Sequence, residues 1–234
     1  MATPPRTRHT TAGGGIDVTI RERLRLGPER TVLLVRLLQL VILAILVAGL
    51  WLKSLGVAIN AAIGLLVTQL PAFFERRYQF TMDAGLVLWI TVPMLLHALG
   101  TLPLPGLDFM TPYRAVWWWD HMTHLFSSSL VAGVGYATAR ALDVHTDAVT
   151  FPPKFMFAYL LLFMMAFGVI WELLEFYVSV ASRLLGIPGI LTQYGIDDTI
   201  LDLVYDMVGG LLAAVFGTAH LTGVSDELAE RLSA

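Results

Sequence analysis

The sequence predicts an all-α protein, a polytopic membrane helix bundle with about six transmembrane helices and both termini cytoplasmic. Three observations carry this expectation. Hydrophobic residues make up 56% of the 234 residues and charged ones only 14%, with a mean hydropathy of +0.71, more apolar matter than a soluble domain of this length buries. Apolar runs of about 20 residues, enough to cross a hydrocarbon core, recur along the chain. Lysine and arginine fall almost entirely on alternate connecting segments.

Residues 1–30 begin with "MATPPRTRHTTAGGG", rich in Pro, Thr and Gly and without apolar periodicity, and read as a largely disordered cytoplasmic tail. The transmembrane domain occupies 31–222. Its first apolar run, 31–52, is too long for a signal-peptide core and lacks a small-residue cleavage site, so it reads as an uncleaved helix. The second, 55–74, contains Asn60, Gln69 and Pro71, which leave a re-entrant or strongly tilted segment as an alternative. Further helices are expected at 84–101, 116–141, 155–179 and 199–221, before a short cytoplasmic tail at 223–234.

Charge sets the orientation. With the N-terminus inside, the inner segments hold Arg6, Arg8, Arg21, Arg23, Arg25, Arg30, Arg76, Arg77, Arg140, Lys154 and Arg231. The outer ones hold only Lys53, Arg114 and Arg183. Tyr113, Trp117, Trp118 and Trp119 then form an aromatic belt where the fourth helix enters from outside. The membrane expected is the cell (inner) membrane.

Composition also excludes. With no cysteine there is no disulfide, thiolate metal site or cysteine nucleophile. A net charge of -3 without a basic groove speaks against nucleic acid. The "FSSSL" stretch lacks the glycine-flanked elbow of a serine nucleophile. Protein partners are not legible.

Topology brings the polar residues to one depth. Helix three carries His97 near its outer end, and helix four carries Asp120, His121 and His124 near its outer start. Helix five is expected to bring Glu172 and Glu175 in its last turns, and helix six Asp198, Asp202 and Asp206 in its first. Asp120 and His124 share a face at i, i+4, Glu172 and Glu175 at i, i+3, and the three aspartates form a column. Facing lipid, each acid would cost about 2.5–3.5 kcal/mol even on the lenient insertion scale, so they face one another, a cation or water.

Crowded acids need protons or a counter-ion, and no Lys or Arg lies at this depth except Arg114 and Arg183 at the rim. Asp120, His124, Glu172, Glu175, Asp202 and Asp206 are therefore the candidate metal ligands. His121 and Asp198 are the candidates for proton transfer. Ligation by carboxylates with one imidazole suits Mg, Mn or Ca, with Zn as an alternative. The plainer reading makes Asp120 the cap of helix four and Asp197 or Asp198 that of helix six, the tryptophans interface anchors and the whole cluster a hydrogen-bond network. Gly133, Gly135, Gly209, Gly210 and Gly217 read as close helix packing.

The trio Asp-x-x-x-His (Asp120 to His124), Trp-Glu-x-x-Glu (Trp171 to Glu175) and Asp-x-x-x-Asp-x-x-Gly (Asp202 to Gly209) resembles the YjdF-type family of uncharacterised inner-membrane proteins over roughly 30–220. More remotely the chain is similar to VanZ-like membrane proteins, with Glu175 where that pattern has glutamine and Asp206 where it has asparagine. The resemblance implies a multi-pass fold with a shared polar cluster and supplies no substrate.

Three functions follow from these residues. The first is a metal-dependent hydrolase or transferase on a membrane lipid or lipid-linked substrate reaching the site from the outer leaflet. The second is a proton- or cation-coupled transporter, against which stands the apolar "GGLLAAVFG" below Asp206. The third is a structural subunit whose polar network fixes helix packing.

Overall fold

The structure is a computed structural model that describes residues 27–78, 82–145, 151–187, 189, 191 and 193–216. Among the described residues it is all helical, with six long helices: α1 Pro28–Trp51, α2 Leu55–Tyr78, α3 Ala84–Gly100, α4 Trp119–His145, α5 Pro153–Leu185 and α6 Ile196–Phe216. A 3-10 turn, Pro105–Leu107, and a single helical turn, Pro112–Ala115, lie between α3 and α4. Nearly all of both expected tails, and residues 217–221 of the sixth expected helix, lie outside the described residues.

Local chemistry explains several boundaries. Pro28 opens α1, where its missing N–H costs nothing. Asp83 caps α3, its Oδ1 accepting from Gly85 N at 2.8 Å and Leu86 N at 3.1 Å. Gly186, at φ 65°, closes α5 in the left-handed conformation that glycine adopts without strain. The second segment, with a re-entrant path as its alternative, is one continuous helix despite Pro71. Gln39 of α1 donates to Thr68 O of α2 at 3.2 Å, giving these two helices a polar tie.

Two departures matter for the site. Among the described residues three helices are long and apolar enough to cross a membrane, or up to four if α3 and the Pro105–Ala115 segment, bent by 61°, form one broken span. α4 and α6, which carry most of the cluster, stand outside that group. α5 also runs on to Leu185, so Glu172 and Glu175 lie near its middle and not in its last turns.

The helices pack as two trios. Ile42, Ile45, Val57, Ala61 and Ala98 form the core of α1, α2 and α3. Ala132, Met164 and Ala213 join α4, α5 and α6, with Trp89 of α3 against them. α3 is tied to α4 by side chains: Trp89 Nε1 donates to Ser129 Oγ at 2.9 Å, and Trp119 Nε1 to Leu96 O at 3.2 Å. The most extensive pairing is α4 with α6. There a Cβ on Gly209 would overlap Leu125 O and Ser128 Oγ, so only glycine permits the approach.

The distribution of polarity is that of a membrane protein. Large apolar side chains such as Leu33, Leu40, Leu50, Leu66, Leu162 and Ile170 are exposed, while His121, His124, Glu172, Glu175, Asp202 and Asp206 are buried.

Candidate metal centre

Helix pitch and helix pairing assemble the centre. Asp120, His121 and His124 occupy the first two turns of α4, and Asp198, Asp202 and Asp206 follow one another at single-turn spacing on α6. Because α4 and α6 pack closely through Gly209, the two rows face each other. α5 then closes the side with Glu172 and Glu175.

His124 is the hub. Its Nδ1 lies 3.3 Å from Asp206 Oδ1, while its Nε2 faces three carboxylate oxygens at longer range. These are Asp120 Oδ1 at 3.8 Å, Glu172 Oε1 at 3.9 Å and Asp202 Oδ2 at 3.9 Å. The other oxygens of two of these acids are occupied: Thr199 Oγ1 donates to Glu172 Oε2 at 2.8 Å, and His121 Nδ1 meets Asp202 Oδ1 at 2.7 Å. Glu172 Oε1 and Asp202 Oδ2 are buried with no hydrogen-bond partner. Buried carboxylate oxygens are rarely left so, and both of these look toward the same imidazole nitrogen.

Their spacing is informative. Ligand atoms held about 2.0–2.6 Å from one ion stand roughly 3–4 Å apart, and the 3.8–3.9 Å from His124 Nε2 to the three oxygens falls in that range. Three overlapping groups bring ligand atoms within 4.8 Å of one another: Asp120, His124 and Asp202; His124, Glu172 and Glu175; and His121, Asp198 and Asp202. His124 Nδ1 against Asp206 matches the arrangement in which a carboxylate orients a ligating histidine and leaves Nε2 for the ion. Five of the six expected ligands thus converge on Nε2 or its neighbours, and Asp206 stands behind the ring.

The remaining expected residues flank this core. His121 stacks on Tyr205, with ring centroids 5.1 Å apart, and presents Nδ1 to Asp202. Asp198 accepts from Tyr194 N at 3.3 Å, a local helix-start contact, while also reaching the His121 group. His97 belongs to a separate network: Tyr113 Oη lies 2.7 Å from its Nδ1, and Ser127 Oγ lies 3.0 Å from its Nε2. Partial burial, and then the Asp120 carboxylate, push the Tyr194 phenol above its ordinary range, against the opposing pull of Arg114.

Sequence reasoning missed Thr199, Tyr205 and the inward role of Tyr113. Thr199 had a signal, since it lies three residues before Asp202 and so shares its face of α6. Tyr113 reads as an interface aromatic until its partner is known.

The family described as "Predicted membrane protein (DUF2238)" matches residues 33–223. The chain belongs to this family. The match includes every residue of the centre and agrees with the YjdF-type resemblance, while the VanZ-like resemblance gains no support from it. An uncharacterized protein of Thermotoga maritima is 32% identical over 102 residues, 44% of this chain. That match spans about half, 48%, of the relative's length. No solved structure matches the chain.

Proposed function

We propose that the chain is a multi-pass protein of the cell (inner) membrane in which Asp120, His124, Glu172, Glu175 and Asp202 hold a divalent cation in the outer half of the bilayer, with Asp206 orienting His124. The site would serve a metal-dependent hydrolase or transferase for a lipid-linked substrate. The observation that carries this reading is the pair of buried, partnerless oxygens, Glu172 Oε1 and Asp202 Oδ2, each 3.9 Å from His124 Nε2. A network built only to fix packing leaves no reason for both to lack a donor.

The donor set is one imidazole and several carboxylates, which favours Mg, Mn or Ca, with Zn as an alternative. Bound there, such an ion would polarise a phosphoryl or ester oxygen and would make water a better nucleophile at neutral pH. His121, with Nδ1 engaged by Asp202, has Nε2 for proton transfer, and Asp198 beside it is the second candidate.

Thermal unfolding of the purified protein with and without each ion tests the proposal. A ligand bound only to the native state adds about 2.7 kcal/mol at a hundredfold excess over its dissociation constant. Wild type gains stability from one of the four ions, and Asp202→Asn, which keeps shape and an acceptor but loses the anionic ligand, does not. If no ion stabilises wild type while Asp202→Asn is the more stable protein, the cluster is a proton-sharing packing network.

A further inference from the structure

Two cavities meet beside the centre. The larger, about 400 Å³, lies between α2 and α5, with Ile59, Ile63 and Val67 on one wall and Phe167 and Leu174 on the other. His124 and Asp206 line it as well. The smaller, about 210 Å³, sits at the end of the bundle that holds the Pro112–Ala115 turn, and is lined by Tyr113, Arg114, Asp120, Glu175 and Tyr194. Asn60, His97, Trp171 and Leu191 line both, so the two spaces adjoin.

The larger cavity opens sideways. α2 packs on α1 and α3, α5 packs on α4 and α6, and among the described residues α2 and α5 make no comparable contact with each other. Ile63, Phe167 and Leu174 on its walls are 54%, 43% and 46% exposed. In a bilayer this opening faces hydrocarbon, and an empty apolar space there forfeits dispersion contacts that a lipid chain restores. Glycine brings the chemistry to this wall: a Cβ on Gly168, which lines the cavity, would stand 2.5 Å from Asp206 Oδ2. The polar mouth differs in charge. Arg114 is the one Lys or Arg among its described lining residues, and it faces a cavity it shares with Asp120 and Glu175. A group held between a guanidinium and a cation-filled carboxylate cluster is an anion, and a phosphate fits the planar donor fork of arginine.

We propose that the two adjoining cavities together bind a lipid phosphate, its hydrocarbon chain entering between α2 and α5 and its phosphate lying between Arg114 and the centre. This deepens the metal-site reading and rests on it for the charge balance at Asp120 and Glu175. The paired environment selects the substrate class: the chain places the lipid, and the head group supplies selectivity, since hydrocarbon alone is no more attracted to the cleft than to surrounding lipid.

The test uses the full chain in vesicles and phosphatidic acid carrying a diazirine midway along one acyl chain. Photolabelling is expected at Ile63, Val67, Phe167 and Leu174 in preference to the exposed Leu33, Leu40 and Leu50 of α1. Val67→Trp, which fills the cleft, should cut cleft labelling by about tenfold, or about 1.4 kcal/mol, while Leu40→Trp leaves it unchanged. Arg114→Gln, at an exposed position, should lower labelling by phosphatidic acid but not by a diacylglycerol with the same chain. Even labelling of α1 and the cleft, or equal cleft labelling by the neutral diacylglycerol, overturns the proposal. Parallel ion-stabilisation measurements separate the two readings. Arg114-dependent cleft labelling without any ion effect keeps the lipid site and removes the cation, whereas ion stabilisation with even labelling keeps the cation and removes the lipid site.

Discussion

Asp206 and Asp202 sit one turn apart on α6, yet they serve opposite sides of one imidazole. Asp202 turns an unpartnered oxygen toward His124 Nε2, and Asp206 approaches Nδ1 at 3.3 Å. Their amide variants should therefore differ. Asp206→Asn keeps an acceptor for Nδ1–H and loses only the charge that raises the basicity of the ring, a change that typically weakens metal affinity about 10–100-fold. Asp202→Asn removes a ligand and should abolish ion-dependent stabilisation. Calorimetric titration of both variants with the ion that stabilises wild type checks the order, and an Asp206→Asn protein that binds no ion while Asp202→Asn still binds would reverse the assignment. The spacing rules were enough to align Asp120 with His124 and Asp202 with Asp206, because i, i+4 residues share a helix face whatever the surroundings. Which ring nitrogen meets which acid depends on the rotation of α6 against α4. That is a tertiary quantity with no trace in local spacing.

At the scale of elements, the α4–α6 pair decides whether the centre exists at all. Gly209 lies against the Leu125 carbonyl and Ser128 Oγ, and a backbone oxygen cannot move aside as a side chain does. Gly210, one residue on, would place its Cβ 2.8 Å from Met164 Cγ, part of a flexible chain. Gly209→Ala should thus cost about 1–3 kcal/mol of overpacking and separate the two rows of ligands, while Gly210→Ala costs less. Thermal unfolding of the two variants, with and without ion, gives the comparison; equal losses would mean that the helix approach is not limited at Gly209. Small residues below the aspartates already suggest close packing, so this contact was legible in kind. The length of α5 was not, because its apolar periodicity continues past any bilayer-length boundary and "YVSVASRLL" carries no stop before Gly186. Nor was the continuity of α2, since Asn60, Gln69 and Pro71 weaken an apolar signal without ending a helix whose polar groups have partners: Asn60 donates to Gly56 O at 2.9 Å, and Gln69 to Thr68 Oγ1 at 3.3 Å.

For the whole molecule the open quantity is orientation, and the chain's lack of cysteine makes it directly measurable. α2 and α3 run antiparallel, so Glu75 near the end of α2 and Gly106 beyond the end of α3 lie at opposite ends of the first trio. From the bias of Lys and Arg we expect the Gly106 end, with Arg114 and the polar mouth, outside, and the Glu75 end, with Arg76 and Arg77, in the cytoplasm. Both positions suit a reporter: a side chain added at Gly106 would meet nothing within 4 Å of its first carbon, and Glu75 is exposed. Gly106→Cys should react with a membrane-impermeant maleimide in intact cells, and Glu75→Cys only after permeabilisation. The reverse pattern would put the polar mouth on the cytoplasmic side and move the proposed substrate to the inner leaflet, without altering the ligand geometry. Labelling of both positions in intact cells would be inconsistent with α3 as a span, and α3 is the helix for which this matters most. At 17 residues it is the shortest of the six long helices, and it ties the first trio to α4 through Trp89, His97 and the carbonyl of Leu96.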